Sequence, residues 1–233
     1  TNERLPNLTI VKYAAPGEST FQIDVEGNDL EDSWLADVSG DGTDVSGAQF
    51  QSIAPGEYEL SEILPEGWSG VSGVSCYLND SGDAEWSGET DVEIELGYGD
   101  NVTCVFNNTE YSVIVGDKFE DMDGEGEDTS GPGVENWGIT LYEWDGEEWD
   151  DVDSTYTDES GIFSFGNVLP GEYLICESNS DNWYQSFPTS GEECPNGSTG
   201  YTLEILDIPN EGAGQTYDGH RFGNYELGSI AGF

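Results

Sequence analysis

Two lysines occur in 233 residues, Lys12 in "LTIVKYA" and Lys118 in "VGDKFEDMDGEGED", against 50 acidic side chains. Each stands near the start of an apparent domain. A lysine buried in apolar surroundings is pushed toward its neutral, nucleophilic amine, and a buried carboxyl toward its protonated acid. Glu62 and Glu177 are the candidate acids, and the carboxamides of Asn108 and Asn224 the candidate electrophiles. In such a trio the protonated acid hydrogen-bonds the amide carbonyl and relays protons while lysine attacks and ammonia leaves. The product is an isopeptide bond, Lys12 to Asn108 in one half of the chain and Lys118 to Asn224 in the other. As mere ion-pair partners of Glu62 and Glu177, two such scarce lysines would have no reason to fall at matching places.

The matching places come from an internal repeat. "FQSIAPGEYELSEILPEGW" (50–68) aligns without gaps with "FGNVLPGEYLICESNSDNW" (165–183), with Phe, Pro-Gly-Glu-Tyr, Glu and Trp coinciding. "CVFNNTE" and "HRFGNYE" share a Phe-x-Asn ending, and "LTIVKY" and "SVIVGDKF" share a beginning. Each half therefore reads as a first strand with Lys, a middle strand with Glu after a Pro-Gly turn, and a last strand with Asn. Between these landmarks lie short runs of period two, such as "STFQIDVEG", "TDVEIEL", "GITLYEWD", "GIFSF" and "YTLEILDI", with no sustained helical period. The fold class expected is all-β: two tandem antiparallel Greek-key sandwiches of an Ig-like or prealbumin-like kind, residues 1–110 and 111–227. The join near Tyr111 passes from last strand to first without a flexible linker, which predicts a stiff rod. Residues 228–233 read as the start of a following strand or as a donor strand, so the chain looks like a repeat unit with neighbours on both sides.

Composition narrows the function. A net charge of −46 with seven Trp and twelve Tyr describes a folded acidic surface, and it excludes nucleic acid and anionic membranes as partners. Such acidity fits adaptation to high salt or avidity for divalent cations. No apolar run is long enough to span a membrane. The four cysteines fall two per half without metal-ligand spacing, Cys76 with Cys104 and Cys176 with Cys194, and so read as disulfides of an oxidising, extracellular compartment. Sequons at Asn7, Asn79, Asn101, Asn107 and Asn196 fit a secreted glycoprotein. The loop "DMDGEGED" sets Asp121, Asp123 and Glu125 at alternate positions around glycines with Asp128 following, a pattern that aims oxygens at a hard cation such as calcium. It is not an EF-hand, because Pro132 stands where the bidentate Glu belongs. "SGDGTDVSG", with Asp41 and Asp44, is a weaker version and reads as a loop.

The Lys, "PGEYELSEILPEGW" and terminal Phe-x-Asn pattern resembles the collagen-adhesin B-type, prealbumin-like modules of microbial surface proteins and pilins. The second half, with "GDKFEDMDGEGED", "TDESGIFSFGNVLPGEYLICES" and "FGNYELGSIAGF", is more closely similar to the calcium-binding B repeats of serine-aspartate repeat surface proteins. That resemblance covers nearly all of residues 112–233, and for the first half rests on Lys12, residues 54–68 and residues 104–108. It implies a structural stalk, pilus or filament module on a cell surface, with copies of itself or adjoining modules head to tail as partners and structural calcium as cofactor. It also implies Asp158 of "TDESG" as a distal calcium ligand. An adhesin that binds a glycan or surface protein is the alternative, with Trp144 and Trp149 of "WDGEEWDD" as a stacking platform. An enzyme is not expected: the adjacent acids Glu147–Glu148 and Asp150–Asp151 point to opposite faces of a hairpin, and the lone His220 has no identifiable constellation.

Overall fold

A computed structural model of the chain describes residues 3–15, 18–28, 30–38, 46–126, 131–206 and 213–226. Among these residues all regular structure is β, and no helix is long and apolar enough to cross a membrane. The chain divides into two compact units, Thr1–Tyr111 with Ile208–Gly214, and Ser112–Asp207 with Gln215–Phe233. The first contains β1 (Asn7–Ala15), β2 (Ser19–Gly27), β3 (Leu30–Val38), β4 (Ser46–Gln51), β5 (Gly56–Ile63), β6 (Trp68–Ser69), β7 (Val74–Leu78), β8 (Trp86–Gly88), β9 (Asp91–Leu96) and β10 (Asn101–Glu110). The second contains β11 (Ser112–Glu120), β12 (Gly138–Trp144), β13 (Trp149–Tyr156), β14 (Ile162–Val168), β15 (Gly171–Glu177), β16 (Trp183–Phe187), β17 (Glu192–Glu193), β18 (Thr199–Ile205) and β19 (Thr216–Glu226).

Each unit is built from two sheets. In the first, β4-β1-β10-β7-β8, with β6 also on β10, accompanies β3-β2-β5-β9. In the second, β14-β11-β19-β16 accompanies β13-β12-β15-β18-β17. Strand for strand the central orders are the same, so the repeat in sequence is a repeat in connectivity. The pairings are antiparallel except that the first strand of each unit runs parallel to its last, β1 with β10 and β11 with β19. A parallel pair needs a long crossover, and here the crossover is the rest of the unit.

Period-two patterning places the cores. Phe21, Ile23 and Val25 on β2 are fully buried while their neighbours are not. With Leu8, Ile10, Leu60, Ile94, Cys104 and Phe106 most of them fill the space between the sheets of the first unit. Ile114, Ile139, Phe163, Phe165, Ile175 and Phe222 do so in the second. The repeated Pro-Gly-Glu-Tyr also acquires a reason. The Tyr58 hydroxyl donates to the Ala54 carbonyl at 2.7 Å and the Tyr173 hydroxyl to the Leu169 carbonyl at 2.9 Å, so each tyrosine ties its strand to the turn just before it. Such a bond, largely withdrawn from water, is worth about 1 kcal/mol.

Candidate functional site

Lys12 lies on β1 opposite Phe106 of β10, and Asn108, two residues further along β10, shares its inward face. Glu62 reaches the same point from β5 of the facing sheet. The Lys12 Nζ donates to Asn108 Oδ1, lies 3.4 Å from Glu62 Oε1, and donates to the Tyr13 carbonyl at 2.7 Å. The second unit repeats the arrangement in the same register: Lys118 is opposite Phe222, and Asn224 lies two residues on. Lys118 Nζ donates to Asn224 Oδ1 at 2.6 Å and stands 3.3 Å from Glu177 Oε2 on β15. Both lysines are fully buried, and both glutamates and both asparagines are buried with them.

Burial governs the protonation of these groups. Desolvation pulls both lysine amines from 10.5 down to about 8, against the attraction of Glu62 and Glu177. Desolvation also raises the Glu62 carboxyl, and lifts that of Glu177 to about 7, against the pull of Lys118. Amine and acid are thus brought toward the same pH range, so a proton passes between them at small cost. The Asn108 amide is oriented as well: its Nδ2 donates to the Ser69 carbonyl at 3.0 Å, which turns Oδ1 toward the lysine. Asn107, next to Asn108 in the chain, sits on the other face of β10 and its main-chain N–H donates to the Gly73 carbonyl. A buried amine, a buried carboxyl and an oriented carboxamide within reach of one another are the groups that transamidation would use.

The other predicted residues divide. Cys76 and Cys104 are disulfide-bonded register partners on β7 and β10, and Cys176 is bonded to Cys194, tying β15 beside Glu177 to the loop after β17. Asp121 is fully buried, and its carboxylate accepts the N–H of Gly124 at 3.0 Å and of Gly126 at 2.9 Å. Burial alone would raise its pKa, but hydrogen bonds from Ser186 and these amides outweigh it, and the net shift is downward. Asp123 accepts the N–H of Glu125, and Asp158 those of Ser160 and Ile162, so each organises its own turn. Among the described residues no three of these side chains gather as a metal cluster; Asp128, Asp41 and Asp44 lie outside the described residues, as does the segment 228–233.

Of the sequon asparagines, Asn7, Asn79 and Asn101 meet at one end of β1, β7 and β10. There Asn7 Nδ2 donates to Asn101 Oδ1 at 2.9 Å and the Asn101 N–H donates to Asn79 Oδ1 at 3.0 Å. Asn196 Nδ2 donates to the Glu177 carbonyl at 2.7 Å. Trp144 and Trp149 face one another across the β12–β13 hairpin with ring centroids 5.2 Å apart, and Trp149 packs with Tyr142 on the Cys176–Cys194 cluster. What sequence reasoning missed are two rings over the lysines, Phe21 above Lys12 Nζ at 4.1 Å and Trp137 above Lys118 Nζ at 4.6 Å.

Residues 8–110, which span Lys12, Glu62 and Asn108, match the family model of the prealbumin-like fold domain. The first unit is thus similar to the prealbumin-like fold domain over nearly its whole length. Among solved structures the chain is similar to the TIE protein of Bacillus anthracis, at 16% identity over 95% of this chain and 34% of that one, TM-score 0.41. It is similar also to the shaft pilin spaA of Lactobacillus rhamnosus GG, at 10% identity over 97% and 99% of the two chains, TM-score 0.37. A third is GBS52, the minor pilin of Streptococcus agalactiae, at 12% identity over 97% and 98%, TM-score 0.35. The chain spans about a third of the TIE protein's length. No curated protein sequence matches it. The first unit carries its Lys-Glu-Asn trio on first, fifth and last strands, and the second unit places its own trio on the strands that correspond.

Proposed function

We propose that this chain is a structural module of an extracellular surface stalk, pilus or filament, each of its two units closed by an intramolecular isopeptide bond. The observation that carries the reading is the duplicated buried trio, Lys12-Glu62-Asn108 and Lys118-Glu177-Asn224, in the same strand register. The neutral Nζ attacks Cγ of the asparagine while the protonated glutamate hydrogen-bonds Oδ1. A C–N bond forms between Nζ and Cγ, the glutamate carries a proton from Nζ to Nδ2, the Cγ–Nδ2 bond breaks, and ammonia departs. The glutamate ends as it began. A charged, buried Lys-Glu pair is expensive to desolvate, and the reaction replaces it by a neutral amide and a neutral acid.

Intact mass under reducing conditions tests this. The wild-type chain is expected to be lighter by two ammonias than its sequence requires, and Lys12→Ala or Lys118→Ala by one. Glu177→Gln, which keeps the shape but carries no transferable acid proton, should leave the second unit unlinked. A wild-type mass equal to that of the unmodified sequence sinks both bonds. Within the same reading the acidic loop is a structural calcium clamp of Asp121, Asp123, Glu125 and Asp128, with Asp158 as the distal ligand, and the partners are like modules joined head to tail.

A further inference from the structure

The two clusters share more than a lysine, an acid and an amide. On β2, Ile23 pairs with Glu62, and on β12, Ile139 pairs with Glu177. Two residues before each isoleucine, and so on the same face, stands the ring that covers the lysine: Phe21 in one unit and Trp137 in the other. Both rings are buried, Phe21 completely and Trp137 to 7% exposure. Each is met edge-on by a second aromatic ring, Phe21 by Trp68 at 5.0 Å and 80°, Trp137 by Trp183 at 5.5 Å and 81°. Trp68 and Trp183 are the tryptophans that close the sequence repeat. They also close equivalent turns, their N–H groups donating to the carbonyls of Pro65 and Ser180, with Gly67 and Asn182 just before them both in the left-handed region.

We propose that Phe21 and Trp137 are positioning residues for the lysine amine in isopeptide formation, with Trp68 and Trp183 as their buttresses; this rests on the bond proposed above. The face of an aromatic ring attracts an ammonium but offers it no carbonyl to bind and no carbon to attack. Packed against Nζ, the ring holds the amine in place and keeps water from it in either protonation state, and the neutral form keeps its lone pair for the Asn Cγ. The ring takes no proton: the bond made is Nζ–Cγ, the bond broken Cγ–Nδ2, and the proton travels through the glutamate. Once linked, the new amide N–H can rest on the same ring face. Nor is the polar edge of the indole what matters, since Trp137 Nε1 has no acceptor among the described residues and phenylalanine fills the equivalent place in the first unit.

The test follows each cross-linked peptide separately in freshly synthesised full-length chain, quenched at intervals and digested, so that one unit is the clock for the other. Phe21→Leu keeps the apolar bulk and removes the flat ring that positions the amine; it should slow the Lys12–Asn108 link by about tenfold and leave the Lys118–Asn224 link unchanged. Phe21→Tyr should link at close to the wild-type rate. Because the ring favours the charged amine, its loss should also move the high-pH limb of the first link's rate profile to lower pH, and tyrosine should restore it. A folded Phe21→Leu chain, judged by its native Cys76–Cys104 disulfide, that links at the wild-type rate with an unmoved limb overturns the ring's part. Should Phe21→Leu not fold, Trp137→Phe decides: it must link the second unit at near the wild-type rate, and failure to do so overturns the proposal. A wild-type chain that never loses ammonia overturns the bond itself and this inference with it.

Discussion

Burial lowers the Lys118 amine and raises the Glu177 carboxyl toward one another, so around neutral pH the pair holds a single proton between two sites. The reactive arrangement, neutral amine beside neutral acid, has the same proton count as the ion pair and differs only in where the proton sits. Below that window a second proton binds: the lysine stays charged and has no lone pair to offer. Above it the last proton leaves, and the amine is free but has no acid to assist it. The rate of ammonia loss from the second unit should therefore be bell-shaped in pH, highest between about 7 and 8 and falling roughly tenfold per unit on either side. Stopped time courses of the Lys118–Asn224 peptide measure it. A rate that keeps climbing above pH 9 would mean that amine deprotonation alone controls the step and that Glu177 is not the proton carrier.

Strands, turns and loops decide whether those side chains meet. β10 is held twice, by Cys104 to β7 and by Asn108 against β1. Replacing Cys76 and Cys104 together by serine should cost the first unit roughly 3 kcal/mol, seen as an earlier melt of that unit with the second unmoved. The loop that begins at Asp121 is anchored in the second unit: the main-chain N–H of Asp121 donates to the carbonyl of Asn224 at 2.8 Å. With a chelator, hydrogen exchange in β11 and β19 should accelerate while that in β1 and β10 does not; equal exchange with and without chelator would remove calcium from the picture. That Lys12, Glu62 and Asn108, and likewise Lys118, Glu177 and Asn224, would lie together was legible in the sequence, because lysine is scarce and Pro-Gly-Glu-Tyr is an alignable landmark. The parallel partnership of β1 with β10 was not, since alternation reveals a strand's faces but not its neighbour's direction. Nor were Phe21 and Trp137, because the acidic loop intervenes between Lys118 and Trp137 and spoils the spacing that would have aligned them. The tyrosine hydroxyl bonds were hidden for another reason: the motif was visible, but its partner is a main-chain carbonyl that no side chain announces.

At the scale of the whole molecule the net charge of −46 has an address. Glu31, Glu26, Glu59 and Glu93 stand in one row across β3, β2, β5 and β9, each directly opposite the next and all exposed, and Glu57 faces Glu95 nearby. Like charges directly opposite are destabilising, and strands lie about 4.8 Å apart, well inside the screening length of about 10 Å at 0.1 M salt but beyond the roughly 3 Å at 1 M. The melting temperature of the first unit should thus rise steeply with potassium chloride between these concentrations. Glu59→Thr should stabilise it at low salt and much less at high salt; an equal gain at both would show that repulsion is not the cause. The parallel first and last strands bear on why such a row is tolerated. In each unit the chain enters one end of that pair and leaves from the other, so a pull on the two ends shears β1 against β10. If Lys12 is joined to Asn108 as proposed, tension would cross between them through a single covalent bond and bypass every strand in between. The sheet that carries the glutamates then lies off the load path, and its strands need only be strong enough to fold.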